Sequence, residues 1–306
     1  MIVTDVLDLL PTLGPIFLLI LLGQWFFRRG FPDPGFWLQA ERLTYFVLFP
    51  SLLIQRLASA NLAPYRDYAA VILLTMTAAS ALLFPLARGL GVGPRGFAAV
   101  YQGAIRFNTY IALALASALY GPSGVALMAL IIAIEMPLVN VLAVWVLSRG
   151  QGILGAGSLV KMLLSNPLIV AALIGLGLNL GGISLPASLG NTLDILARAA
   201  LPLGLLTVGA GLQLAAIRRY AEITLAVVVK LAVLPLLVYG LARWLGMGEL
   251  ETAVLVVFHA VPAAPSAYIL TRQLGGDAAL MAAILTLQVA VAMASLPLVL
   301  VLLPVP

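Results

Sequence analysis

The sequence contains no cysteine and only one histidine, His259, among its 306 residues. Disulfides, thiolate metal sites and cysteine nucleophiles are therefore excluded, and so is a metal site built from several histidines. Charged residues are also scarce, at 9% of the chain, whereas hydrophobic residues make up 63%. Soluble domains are about a quarter charged and about half apolar. We therefore expect a protein whose surface lies largely in lipid.

A run of basic residues is also lacking, although the net charge is +5 at pH 7. Cations that are scattered at the ends of apolar segments encode membrane topology and do not indicate nucleic-acid binding. The N-terminus has no basic region followed by a small-residue cleavage site, so we expect it to be retained. The sequence predicts no nucleic-acid partner and no cofactor.

The chain consists mostly of long apolar segments that are separated by short polar loops. A helical span needs about 20 apolar residues, and the pattern predicts ten of them, at 12–28, 38–59, 68–90, 96–120, 124–147, 161–180, 189–214, 221–245, 250–272 and 277–303. We number these spans 1 to 10. The longest connection lies near the middle of the chain, so we place one unit at 1–147, a cytoplasmic linker at 148–160 and a second unit at 161–306.

The two units resemble each other. "LARGLGVGPRGFAAV" (86–100) matches "LARWLGMGELETAVL" (241–255), "VALMALI" (125–131) matches "AALMAAI" (278–284), and "FPSLL" (49–53) matches "LPLGL" (201–205), at offsets of 152 to 155 residues. Five spans bring the chain to the opposite side of the membrane, so the second copy must be inverted. Inverted repeats are typical of secondary transporters with a site near the bilayer midplane.

Lysine and arginine are concentrated in or beside the loops that follow spans 1, 3, 5, 7 and 9. The positive-inside rule places these loops in the cytoplasm. We therefore predict a multi-pass protein of the inner (plasma) membrane with both termini on the outer side.

Several motifs are similar to those of the auxin efflux carrier family. They are "GPIFLLILLGQWFFRRG" from Gly14, "SNPLIVAALIGLGLNLGG" from Ser165 and "VPAAPSAYILTRQLGGD" from Val261. The family includes plant auxin exporters and bacterial malonate-type carriers. The resemblance implies an all-α fold of ten helices in two inverted repeats, with a scaffold and a transport domain and helices 4 and 9 broken and crossing at the substrate. It also implies a small organic anion as substrate and a homodimer.

The residues themselves support the two breaks unequally. Pro262 and Pro265 lack N–H donors and should stop regular helix in span 9. In span 4, Asn108 and Thr109 fit the family motif, but Tyr110 stands where glycine is usual and no proline follows within the span. The exposed main chain at a break favours an anion.

Polar residues near these positions are the candidates for binding. Arg106 is predicted to pair with a substrate carboxylate, and the alternatives are an ion pair with Glu135 or a side chain that snorkels to the interface. Short polar side chains that would bind substrate or cap main chain are Asn108, Thr109, Ser266, Gln55 and Asn140, with Pro262 and Pro265 completing the predicted site.

Coupling candidates are His259, Glu135 and Gln288. Histidine changes charge near neutral pH, and Glu135 is the only carboxylate deep in a span. Lys230 in span 8 is expected to snorkel or to have an internal partner. The favoured prediction is a secondary transporter that works by alternating access. The rivals are a sodium-coupled symporter of the bile-acid type, a membrane-embedded enzyme, which lacks suitable side chains, and a passive channel.

Overall fold

The computed structural model describes residues 2–60, 65–148, 164–212, 219–273 and 275–303, and within these ranges it contains helices and no β-strand. The α-helices are α1 (Ile2–Arg28), α2 (Pro34–Leu43), α3 (Phe49–Ala58), α4 (Tyr65–Gly89), α5 (Pro94–Ile105), α6 (Thr109–Ser148), α7 (Pro167–Leu180), α8 (Ala187–Ala210), α9 (Tyr220–Val228), α10 (Leu234–Trp244), α11 (Glu249–Ala260), α12 (Ser266–Gln273) and α13 (Ala278–Leu302). Short π-helical turns at Thr44–Leu48 and Val229–Val233 connect α2 to α3 and α9 to α10. Apart from Ser148, the predicted linker at 148–160 lies outside the described residues.

The helices follow the predicted spans in order, with shifted ends. α1 begins well before the predicted residue 12, and the helix of span 2 begins at Pro34, not at residue 38. Pro34 follows the N-cap Asp33, whose side chain accepts a hydrogen bond from the N–H of Gly35 at 2.7 Å. In the described part of the chain, six helical stretches are long and apolar enough to cross a membrane. The protein is therefore an all-α polytopic membrane protein.

Spans 4 and 5 are joined by a turn of a single residue. Within Thr109–Ser148, Gly121 has φ 59° and ψ −151°, and Pro122 follows it. A positive φ is accessible to glycine at little cost, whereas a side chain would be strained there. The sequence "YGPS" at Tyr120 therefore ends one helix and begins the next.

The most extensive packing divides the helices into two groups. In one group α1 packs along α8, and α3 packs along α7 and α8. In the other group α11 packs against α10 and α6, while α5 packs against α9 and α13. The α1–α8 contact is very close because Gly23 and Gly209 leave no side chain between the two backbones.

α5 and α11 are alike in detail although they lie in different halves of the chain. Each has 12 residues and follows an extended glycine, Gly93 (φ −66°, ψ 163°) or Gly248 (φ −60°, ψ 162°). Each also ends at an extended residue, Arg106 (φ −77°, ψ 156°) or Val261 (φ −75°, ψ 150°). The local structure therefore repeats where the sequence match is longest.

Candidate functional site

Two interruptions of helical structure touch each other inside the protein. The first lies at Arg106–Asn108, between α5 and α6, and the second at Val261–Pro265, between α11 and α12. The main-chain N–H of Asn108 donates a hydrogen bond to the carbonyl oxygen of Pro262 at 2.8 Å. Spans 4 and 9 are thus both broken, and the two breaks are in contact.

The break in span 4 forms without a proline because Asn108 caps the helix that follows. Its Oδ1 accepts hydrogen bonds from the N–H groups of Tyr110 at 3.0 Å and Ile111 at 3.2 Å. Asparagine is among the preferred N-cap residues for this reason. Tyr110, which stands where the family usually has glycine, is accommodated by stacking on Phe49, with ring centroids 4.5 Å apart.

The break in span 9 is held by a side chain from α13. Gln288 is fully buried, and its Oε1 accepts the N–H of Ala263 at 2.9 Å. Its Nε2 donates to the carbonyl oxygens of Gly103 at 2.8 Å and Ala226 at 3.3 Å. Buried main-chain groups need such partners, so Gln288 supports both breaks by hydrogen bonding and carries no charge.

A small cavity of about 110 Å³ lies beside the two breaks. Its walls combine the break residues with side chains from α2, α6 and α7, namely Glu41, Tyr45, Arg106, Phe107, Asn108, Thr109, Tyr110, Met136, Val139, Asn140, Asn166, Leu168, Ala264, Pro265 and Ser266. Six of the eight predicted binding residues line it: Arg106, Asn108, Thr109, Asn140, Pro265 and Ser266. The role of these six residues in binding stays a prediction.

A wider vestibule of about 570 Å³ adjoins this cavity. The two spaces share Arg106, Asn140, Asn166 and Ser266 as well as Glu41 and Tyr45. The vestibule adds Leu38 and Arg42 from α2, Ser165 before α7 and Leu270 from α12. The cavity is therefore approached from the end of the protein where span 2 begins.

Residues 154–300 match the family model described as "Membrane transport protein". The second half of the chain is therefore similar to this family of membrane transport proteins. No curated protein matches the chain. The matched region contains the broken span 9 and Gln288, and the family is a transporter family, as the motifs predicted.

Arg106 lines the cavity and has a neutral hydrogen-bond partner. Its Nη2 donates to Oδ1 of Asn140 at 2.9 Å, and its buried Nε has no hydrogen-bond partner among the described residues. The alternative pairing with Glu135 is not observed, because Glu135 contacts His259. Arg106 therefore has no carboxylate partner in the described hydrogen bonds and ion pairs, and it retains donors for an anion.

Three helix N-termini also meet at the cavity wall. α6 begins at Thr109, α7 follows its N-cap Asn166, and α12 begins at Ser266. Asn166 caps α7 by accepting the N–H groups of Leu168 at 3.0 Å and Ile169 at 3.4 Å. Each N-terminus carries a partial positive charge of about +0.5. Together with Arg106, they contribute positive charge to a wall that also contains the carboxyl group of Glu41.

The remaining predicted residues lie outside the cavity. Gln55 donates to Oδ1 of Asp194 at 3.1 Å, which ties α3 to α8. Pro262 contributes its carbonyl to the contact between the breaks. His259 and Glu135 are fully buried and contact each other.

Glu41, Tyr45 and Asn166 line the cavity and were not among the predicted binding residues. Asn166 had a sequence signal, since the Asn-Pro pair that begins span 6 is a helix start of the kind seen here. Glu41 and Tyr45 gave no such signal, because both lie near the start of predicted span 2. Polar side chains are common at the ends of membrane spans.

Proposed function

We propose that the protein is a secondary transporter that moves a small organic anion across the membrane by alternating access. The single observation that carries this proposal is the cavity at the junction of the two breaks, with Arg106 beside it. Irregular main chain at membrane depth is tolerated only where it is buried in protein or lines a cavity. In a transporter, such a cavity would serve as the substrate-binding site.

The electrostatics of the cavity favour an anion. Arg106 and the N-termini of α6, α7 and α12 supply positive charge or partial charge, and the guanidinium suits a carboxylate because its donors form a planar fork. Asn108 and Ser266 supply hydrogen-bonding groups for orientation. A carboxylate with a small body, or a dicarboxylate of malonate size, is the substrate class that we infer.

The two packing groups supply the moving parts. Spans 1, 2, 6 and 7 form the scaffold, and spans 3 to 5 and 8 to 10 form the transport domain. Spans 1 to 5 and spans 6 to 10 are the two inverted repeats, and each repeat contributes to both domains. The cavity lies between them, since Glu41, Tyr45 and Leu168 belong to the scaffold and Arg106 and Ser266 to the transport domain. A displacement of one domain along the other would carry a bound anion from one side of the membrane to the other, as in an elevator.

The position of the vestibule indicates the side of the membrane to which the cavity opens in the proposed transport cycle. It opens where span 2 begins, and Arg28 at the end of α1 and Arg29 in the following loop precede that helix. On the positive-inside rule this end is cytoplasmic. We therefore infer an inward-open conformation, in an inner-membrane protein whose termini face outward and which we expect to form a homodimer.

The test is ligand-dependent thermal stabilisation of the purified protein, with malonate, acetate and indole-3-acetate as probes. A ligand at 100 times its dissociation constant adds about 2.7 kcal/mol to the stability of the native state. Malonamide is the matched control, because it has the shape of malonate without its charge. A bound acid is then assayed for uptake and exchange in proteoliposomes.

We expect an acid to stabilise the protein and to be exchanged across the vesicle membrane at a saturable rate. Stabilisation by malonamide as strong as by malonate would contradict the electrostatic argument. Uptake that requires a sodium gradient would favour the symporter of the bile-acid type, and non-saturating flux would favour a channel.

A further inference from the structure

Two titratable side chains are in contact in the protein interior, outside the cavity. Nε2 of His259, on α11, lies 3.2 Å from Oε2 of Glu135, on α6, and both residues have an exposed fraction of 0%. No hydrogen bond from another described residue reaches these two atoms. The hydrogen bonding at these two atoms therefore depends on the pair itself.

The hydrogen bonding of the imidazole shows that this contact needs a proton. Nδ1 of His259 lies 2.9 Å from the carbonyl oxygen of Leu255. A carbonyl oxygen only accepts, so Nδ1 must carry the hydrogen. In a neutral imidazole Nε2 then presents a lone pair, which a carboxylate oxygen would repel. The contact is attractive only when one further proton lies on Nε2 or on the Glu135 carboxyl.

A third charged group lies within the electrostatic reach of the pair. Lys230, in the π-helical turn between α9 and α10, is fully buried and interacts electrostatically with Glu135. Its Nζ has no hydrogen-bond partner among the described residues. An unpaired buried ammonium is costly, so Lys230 is a ready partner for Glu135 once the proton has left.

Other charged groups lie away from this cluster. At the end of α1 and on α4 and α5, which pack against α6, the described side chains with charge lie in the first or last turn: Arg28, Arg66, Asp67, Arg88 and Arg95. α9 and α11 carry Glu222, Glu249 and Glu251 in their first turns. α3 carries Arg56 and α8 the Asp194–Arg198 pair, while Arg243 lies in the last turn of α10. Arg106, beyond the end of α5, is bonded to Asn140. Glu135, His259 and Lys230 are thus the groups that decide the local charge.

We propose that Glu135, His259 and Lys230 form a proton-binding site with two states. In the state described here, the Glu135–His259 pair shares one proton and Lys230 is unpaired. Release of that proton leaves the carboxylate of Glu135 to pair with the ammonium of Lys230, while His259 stays neutral. The net charge of the cluster thereby falls by one.

The site is placed to couple this proton to the anion. Glu135 is adjacent to Met136, which lines the cavity, and His259 lies three residues before Pro262, which contacts Asn108. An anion in the cavity attracts the proton, so each ligand strengthens the binding of the other. This part of the inference rests on the proposed function and predicts co-transport of the anion with a proton.

The proton itself is observable because the chain contains one histidine. Labelling with ¹⁵N-histidine gives two imidazole nitrogen signals from the whole protein, and their chemical shifts report which nitrogen carries hydrogen. In the full chain without any anion, we expect Nδ1 to be protonated throughout the range from about pH 5 to 8. We expect Nε2 to show a bound or shared proton at the acidic end and to lose it as the pH rises.

Variants of the two partners should move this transition in opposite directions. Lys230→Met removes a positive charge, so the proton should be retained to a pH higher by about one unit, a tenfold gain in proton affinity. Glu135→Gln removes the negative charge, so the proton should leave at lower pH. Arg243→Met, an exposed position at the end of α10, is the control and should change nothing. An Nε2 signal that does not change with pH over the whole range in the unmodified protein would overturn the proposal, even where a variant does not fold.

Coupling is measured in proteoliposomes that contain a pH indicator, with an acid that the unmodified protein exchanges. Proton entry should accompany net uptake, and Glu135→Gln should abolish proton entry while preserving exchange of the acid between equal pools. Net uptake without proton entry would overturn the coupling. Failure to exchange any acid would instead refute the proposed function, and the nitrogen spectrum would still decide the proton site.

Discussion

The main-chain N–H of Asn108 donates a hydrogen bond to the carbonyl oxygen of Pro262 across 2.8 Å. This bond joins the two halves of the chain at the point where each loses helical structure. Each break thereby supplies a partner for a main-chain group of the other, so neither polar group is left unpaired in the interior. The two breaks that border the cavity are therefore joined to each other directly.

Replacing Arg106 with glutamine should weaken anion binding about 10- to 100-fold, since hydrogen bonds to charged groups contribute about 1.5–3 kcal/mol. Glutamine keeps a donor for Asn140 and removes the charge. Uptake in proteoliposomes and thermal stabilisation by malonate are the measurements. Arg198→Gln is the matched control, because Arg198 is exposed and pairs with Asp194. Equal affinity of the two variants for malonate would show that Arg106 has no role in anion binding.

Two substitutions of Asn108 should separate its structural role from its role in the cavity. Asn108→Ala removes the cap of α6 and should lower the free energy of unfolding by about 1 kcal/mol. Asn108→Asp keeps an N-cap acceptor but places a negative charge in the cavity wall. We therefore expect near-native thermal stability and a loss of anion uptake for the aspartate variant. Native uptake by the aspartate variant would show that a negative charge in the cavity wall does not prevent anion transport.

Joint replacement of Pro262 and Pro265 with alanine should restore helix across the break in span 9. The new N–H groups and the loss of ring clashes favour continuous hydrogen bonding, and the carbonyl of Pro262 would no longer be free for Asn108. We expect a folded protein without uptake. Pro85→Ala, at an exposed proline inside α4, is the control and should keep activity. Normal uptake by the double variant would show that transport does not need the break in span 9.

Gly209→Ala should destabilise the packing of α1 on α8. A Cβ at this position would overlap the carbonyl of Ile20, and such overpacking costs about 1–3 kcal/mol. Gly190→Ala lies in the same helix with nothing near its Cβ. Alanine there should be neutral or stabilising by up to about 1 kcal/mol, because glycine is a poor helix former. A thermal melting series in detergent compares the two, and equal melting temperatures would contradict the close contact.

The sequence determined the features that depend on local composition and on main-chain chemistry. Apolar segments of sufficient length predicted the helices, because lipid accepts only hydrogen-bonded main chain. Pro262 and Pro265 predicted the interruption of span 9, because a proline ring cannot be placed in regular helix. Neither inference needs knowledge of what packs against the segment, and both agree with the structure.

Tertiary structure decided which polar groups meet. The sequence allowed three environments for Arg106. In the structure Arg106 donates a hydrogen bond to Asn140, which is 34 residues away, and Glu135 contacts His259 instead. Gln288 supports Gly103 across 185 residues, and the break in span 4 is completed by Pro262. Sequence patterns do not encode such partners, because a buried polar group is satisfied by whichever donor or acceptor the packed helices bring within about 3 Å.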